Sequence, residues 1–158
     1  MNLPPYPSDR KYIYQTDDAF SVIPKMKPSG CYFMSWVEAL TAYFNLPFTH
    51  ESVISFFDLE IIDGNTDVDN ELFVGDPQDL INDLIGPGKV KFLGKFGVDR
   101  VCGDDEIEIG CFHKTGNSYN HFCHTNGKGI VLYDPWSPQG SDSVSEGSLI
   151  GKRIARLA

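Results

Sequence analysis

The chain has 158 residues, 41% of them hydrophobic, and a net charge of −9. A chain of this length favours one domain, burying roughly 68–70% of its unfolded surface and needing no disulfide staples. The acidic balance argues against nucleic acid and anionic membrane as partners, since both need a basic face, and no apolar run is long enough to span a bilayer.

In chain order, Met1 to Lys27 is irregular and proline-bearing, with one short strand candidate at Tyr12-Ile13-Tyr14. The best helix follows. Phe33, Trp36, Val37, Leu40, Tyr43 and Phe44 recur at helical spacing, Ser29 stands where a cap is needed, and Asn45-Leu46-Pro47 ends the run. A second helix is predicted from Thr49 to Phe57, with His50 and Glu51 at its start. A third runs from Asp76 to Ile85: Asp76 is the cap, Pro77 the first helical residue, and Gly86-Pro87-Gly88 the stop. Beyond Gly88 the pattern changes to strands, at Val90 to Phe96, Glu106 to His113, Tyr119 to Thr125, Gly129 to Asp134 and Ser148 to Leu157. Asn126-Gly127 between apolar strands predicts a two-residue hairpin turn. Ser137 to Gly147 is a polar loop. Helices first and an antiparallel sheet second is an α+β pattern, with no internal repeat and no linker, so one domain is expected over 1–158.

Four cysteines, at 31, 102, 111 and 123, form no CxxC pair, and the N-terminus has no signal-peptide-like apolar core. A reduced, cytoplasmic setting with free thiols is expected. Cys31 stands out because it opens the best helix. A helix N-terminus stabilises a thiolate through free N–H groups and the macrodipole. Capping at Ser29 makes Cys31 the second helical residue, opposite the apolar stripe and in line with Ser35, Glu38 and Ala42. Cys102, Cys111 and Cys123 read as ordinary buried or loop residues.

The hairpin supplies a partner. A two-residue turn pairs Thr125 with Lys128, Cys123 with Ile130 and His121 with Leu132. Asp134 then shares the His121 face as its diagonal neighbour, roughly 7–8 Å away by backbone, within reach of side chains. The expected site is therefore Cys31 as nucleophile, His121 as base and Asp134 as its orienting acid, the set that thiol catalysis needs.

The stretches Pro28-Ser29-Gly30-Cys31-Tyr32-Phe33-Met34, Asn120-His121-Phe122 and Tyr133-Asp134-Pro135-Trp136 resemble papain-like cysteine peptidases, the compact double-glycine (bacteriocin-leader) peptidases most of all. The likeness covers Ser29 to Leu157 and is carried by three short motifs. It implies a papain-like α+β domain, in which N-terminal helices with a central helix starting near Cys31 pack on a C-terminal antiparallel sheet. It also implies a thiol peptidase or amidase working through an acyl-enzyme on a peptide or protein substrate, without cofactor. One departure is plain: such peptidases carry a glutamine a few residues before the cysteine, and Val22 to Lys27 holds none. Gln15 and Ser29 are the candidate oxyanion donors in its place. A catalytically inactive peptide-binding domain on the same fold, and a transglutaminase-like acyltransferase with the same order of Cys, His and Asp, are the alternatives.

Two further constellations compete. Cys111, His113, His121 and Cys123 could meet as zinc ligands on neighbouring strands, although their spacing is not that of a zinc finger or knuckle, and no metal is expected at the site. Asp63 to Glu71 alternates oxygens like a calcium loop, but Val68 holds the sharp-turn position and Val74 the twelfth. His124 points away from His121 and is expected at the surface or sheet edge.

Overall fold

The computed structural model describes residues 1–70, 73–137 and 147–158. Among the described residues, four α-helices precede five strands: α1 (Met26–Ser29), α2 (Cys31–Tyr43), α3 (His50–Ile62), α4 (Pro77–Ile85), β1 (Val90–Phe96), β2 (Glu106–His113), β3 (His121–Thr125), β4 (Val131–Tyr133) and β5 (Ser148–Leu157). The strands form one antiparallel sheet in the order β1-β5-β2-β3-β4. The architecture is α+β, with helices packed on a five-stranded antiparallel sheet. Among the described residues, no helix is long and apolar enough to cross a membrane.

The local reasons are those of the sequence. Asp76 accepts from Gln78 N at 2.9 Å and Pro77 opens α4, since proline has no N–H to waste in a first turn. Thr49 and Ser52 cap each other's backbone at the start of α3, which runs to Ile62, five residues beyond its predicted end. After α2, Asn45 takes φ 52° and Leu46 N returns to Thr41 O at 2.9 Å, a left-handed stop that asparagine tolerates.

Helix α2 is the centre of the core. Every residue from Phe33 to Ala42 is buried. Trp36, Phe33, Met34 and Leu40 pack with Phe56 and Phe57 of α3, Leu80 and Ile81 of α4, and Ile107, Ile109 and Ala155 of the sheet. A helix buried on all sides must place its polar residues too. The Glu38 carboxylate, fully enclosed, takes hydrogen bonds from the Tyr6 hydroxyl and from Arg10 Nε (3.0 Å), and its Oε2 lies 2.6 Å from His124 Nδ1.

This pairing corrects two expectations. His124 is not a surface or edge residue: it is fully buried against α2, because Ile109 pairs with it and both face the helices. Tyr12-Ile13-Tyr14 is not a strand. Tyr12 and Tyr14 stack on Tyr133 at 5.3 and 5.9 Å between ring centroids, and the Tyr133 hydroxyl donates to Ile13 O at 2.7 Å. The segment is held by side chains rather than by a ladder. Most of the predicted polar loop, residues 138–146, lies outside the described residues.

Candidate active site

The α1–α2 junction sets the position of Cys31. Gly30 N donates to Met26 O at 2.8 Å, so a short helix runs directly into the long one. Ser29 belongs to that first helix and Gly30 is the cap of α2, which makes Cys31 the first helical residue rather than the second. Only glycine fits at the junction: a Cβ on Gly30 would lie 2.1 Å from Met26 Sδ and 2.7 Å from Met26 O. Cys31 is half-buried, and its main-chain N–H, at the first helical position, has no intrahelical partner.

Ser35, one turn on, ties this helix start to the sheet. Its Oγ lies 2.7 Å from Cys31 O and 3.1 Å from Phe122 O. Tyr32 and Phe122 make the same junction through their rings, 4.5 Å between centroids. The start of α2 thus lies against β3 next to His121.

His121 opens β3 and Asp134 follows β4. His121 Nε2 is 2.7 Å from Asp134 Oδ1, and both side chains are almost fully buried. Asp134 Oδ1 also accepts from Trp136 N at 2.9 Å, which fixes the carboxylate. The route to this contact differs from the predicted hairpin. The turn is longer, with Thr125 opposite Val131, and a bulge then places Tyr133 opposite His124, where a two-residue turn would place Gly129. The displacement at that point is an even number of residues. Side chains alternate with a period of two, so an even displacement leaves Asp134 on the His121 face.

Charge and burial act against each other at His121. Burial disfavours the charged ring, but hydrogen bonding with Asp134, Cys123 and Cys31 outweighs it and pushes the imidazole up to about 12. With Nε2 held by Asp134, Nδ1 is the nitrogen left for the thiols. The ring therefore carries a proton near neutrality, and the Cys31 side chain is among the groups that stabilise it.

A family model described as "Protein of unknown function, DUF261" matches residues 13–157, which include all three of these residues. The chain belongs to the DUF261 family. No curated protein matches it, and no solved structure does.

Elsewhere in this DUF261 chain the expected residues fall differently. Gln15 folds back beneath the junction, where its Nε2 donates to Lys27 O (2.7 Å) and Met26 O (3.3 Å). Its amide hydrogens are thereby engaged with backbone and are not directed at a substrate oxygen. Ser29 is half-buried and lines a cleft of about 270 Å³ with Cys31, Tyr32, Phe73, Val74 and Phe122. The four-member zinc cluster does not form. Cys111 pairs with Phe122, and His121 with Phe112, so Cys111 and His121 lie on opposite faces of the sheet. His113 Nδ1 instead lies 3.0 Å from Asn120 Oδ1. In the acidic loop, Asn65 Oδ1 accepts from Asp76 N and Asp67 Oδ1 from Asp69 N. His50 pairs with Asp17 at 2.9 Å.

Cys123, expected either as an ordinary buried residue or as one member of the four-residue zinc cluster, lies beside His121. It is fully buried, two residues from His121 on the same face, with its sulfur within 4.8 Å of a ring nitrogen. Burial pushes its thiol up to about 11.

Proposed function

We propose that this DUF261 chain is a thiol-dependent hydrolase, a peptidase or amidase, on a papain-like scaffold. The observation that carries the reading is the buried His121–Asp134 pair, 2.7 Å apart, beside a cysteine at the first position of a 13-residue helix. Asp134 fixes the ring and favours its charged form, and Cys31 stands where the N–H groups of the first helical turn are free of intrahelical bonds. In this mechanism the Cys31 thiolate attacks an amide carbonyl, and the Cys31 N–H faces the developing oxyanion. His121 protonates the leaving amine. It then takes a proton from water, which releases the acyl group. The cleft beside Cys31, with Tyr32, Phe73, Val74 and Phe122, suits an apolar side chain of a peptide next to the bond that is cut.

The test is hydrolysis of a quenched peptide library by the wild type and by Cys31→Ala. Turnover in the wild type that disappears in the folded variant is the expected result; equal turnover in both ends the proposal. A second reading, a domain that binds peptides without cutting them, is favoured by one observation: Gln15 gives its amide to the backbone. An oxyanion donor is worth about 2.7–4 kcal/mol of barrier. Rapid alkylation of Cys31 together with peptide binding, but without turnover, would select this second reading.

A further inference from the structure

Outside the candidate active site, three acidic side chains converge between the end of α3 and α4. Glu60 lies in the last turn of α3, Asp63 is the C-cap of that helix, and Asp83 belongs to α4. One carboxylate oxygen from each lies within 4.8 Å of the other two. Glu60 is fully buried: its Oε2 accepts from Asn65 Nδ2 at 2.7 Å, and its Oε1 is enclosed without a hydrogen-bond partner. Asp83 Oδ2 is likewise enclosed and without a partner. Asp63 is exposed, so the group opens to solvent on its side. We propose that Glu60, Asp63 and Asp83 form a binding site for a hard divalent cation, calcium, which ties the end of α3 to α4.

The orphaned Glu60 oxygen carries the assignment. Buried charges are paired or coordinate a metal, because taking a carboxylate out of water is costly. Among the described residues, no basic side chain is ion-paired with any of the three acids. The last turn of α3 holds no basic residue either. A helix C-terminus is already the negative end of the macrodipole, so two carboxylates there deepen a potential that a cation relieves. Calcium takes oxygen ligands at about 2.3–2.6 Å. Two such ligands on opposite sides of one ion stand about 4.6–5.2 Å apart, so calcium spans the separations observed within 4.8 Å. Magnesium, at about 2.0–2.1 Å, reaches only the closer part of that range and demands near-ideal octahedral geometry. Water completes the shell on the exposed Asp63 side. Protons are the rival occupant: hydrogen bonding with Glu60 raises the Asp83 carboxyl, and hydrogen bonding with Asp83 raises that of Asp63. The turn after Asp63 also holds part of the cleft wall. Asn65 O accepts from Gly75 N at 2.7 Å, and Thr66 Oγ1 donates to Phe73 O at 2.8 Å. A cation here therefore braces the turn that anchors Phe73 and Val74. The site stands on its own ligands and does not require the hydrolase reading.

The experiment uses the full chain, stripped with EDTA, freed of it, and titrated with calcium chloride by isothermal calorimetry. Potassium chloride at about 0.15 M screens loose association of cations with the acidic surface. A single site with a Kd below about 1 mM is expected. Asp63→Asn and Asp83→Asn should each weaken it at least about tenfold, whereas Asp58→Asn, an exposed acid of α3 outside the group, should leave it unchanged. Magnesium should bind at least about tenfold more weakly than calcium. Because Asp83 is partly buried, a wild-type measurement accompanies the variants: saturating calcium should slow amide hydrogen exchange across residues 60–66 at least about tenfold. Absence of saturable 1:1 binding would overturn the assignment and leave protons as the occupants of the cluster. A Kd unchanged in folded Asp63→Asn, or exchange across 60–66 unaffected by calcium, would overturn it as well. Magnesium binding as tight as calcium would overturn the choice of ion.

Discussion

The charge state of His121 makes a quantitative prediction for stability. Its folded value is pushed up to about 12, against 6.5 for the free side chain. A group raised on folding stabilises the fold fully below its unfolded value and loses that contribution as pH rises towards the folded one. Between pH 6.5 and 8 the folded chain keeps the His121 proton while the unfolded chain releases it. The slope approaches about 1.4 kcal/mol per pH unit for one proton, and over this window the fold loses about 2 kcal/mol. For a chain of this length that corresponds to roughly 4–8 °C in Tm. Urea denaturation at a series of pH values, with chelator present, measures it in Cys31→Ala and in Cys31→Ala combined with His121→Gln, so that no proton exchanged between thiol and ring offsets the one held by the histidine. The thiols of half-buried Cys102 and buried Cys111 and Cys123 are raised as well and begin to contribute near pH 8, but they remain in both proteins, so the difference in slope isolates the histidine. The variant's absolute stability falls because Asp134 loses its partner; only the slope is diagnostic. Parallel curves for the two proteins over pH 6.5–8 would refute an imidazolium at this site.

Two further predictions concern the framework that holds the site. Glu38→Ala leaves Arg10, Tyr6 and His124 without their shared carboxylate in the interior; a loss of about 3–5 kcal/mol is expected by urea denaturation, and a loss below about 1 kcal/mol would mean that water or rearrangement replaces it. Gly30→Ala puts a methyl against Met26 at the α1–α2 junction. It should cost about 1–3 kcal/mol and slow labelling of Cys31 by iodoacetamide, while unchanged stability and labelling would mean that the Met26 turn yields freely.

The three positions of the candidate site were legible in the sequence, for different reasons. Cys31 was visible because helix starts are written locally, in the glycine before it and the apolar period after it. Even so, the cap was misplaced by one residue, because α1 could form only with Met26 buried in the core. His121 and Asp134 were placed on one face by a turn that does not exist. A longer loop and a bulge moved the pairing by an even number of residues, so the face survived an incorrect register. Had the bulge been absent, Asp134 would lie on the opposite face.

Local signals therefore determined most of the element boundaries: the Asp76-Pro77 start of α4, and β1, β2 and β5 with their predicted ends. These depend on capping, backbone restrictions and side-chain period, all short-range properties of the chain. Tertiary structure decided what no window of residues contains. It buried His124 against Glu38, 86 positions away, turned Gln15 towards the Lys27 carbonyl, separated Cys111 from His121, and brought Cys123 close to the His121 ring. The physical reason is that a buried polar group must find its partner in three dimensions. Its desolvation is offset by whichever donor or acceptor packing places beside it, and strand order and register set that choice.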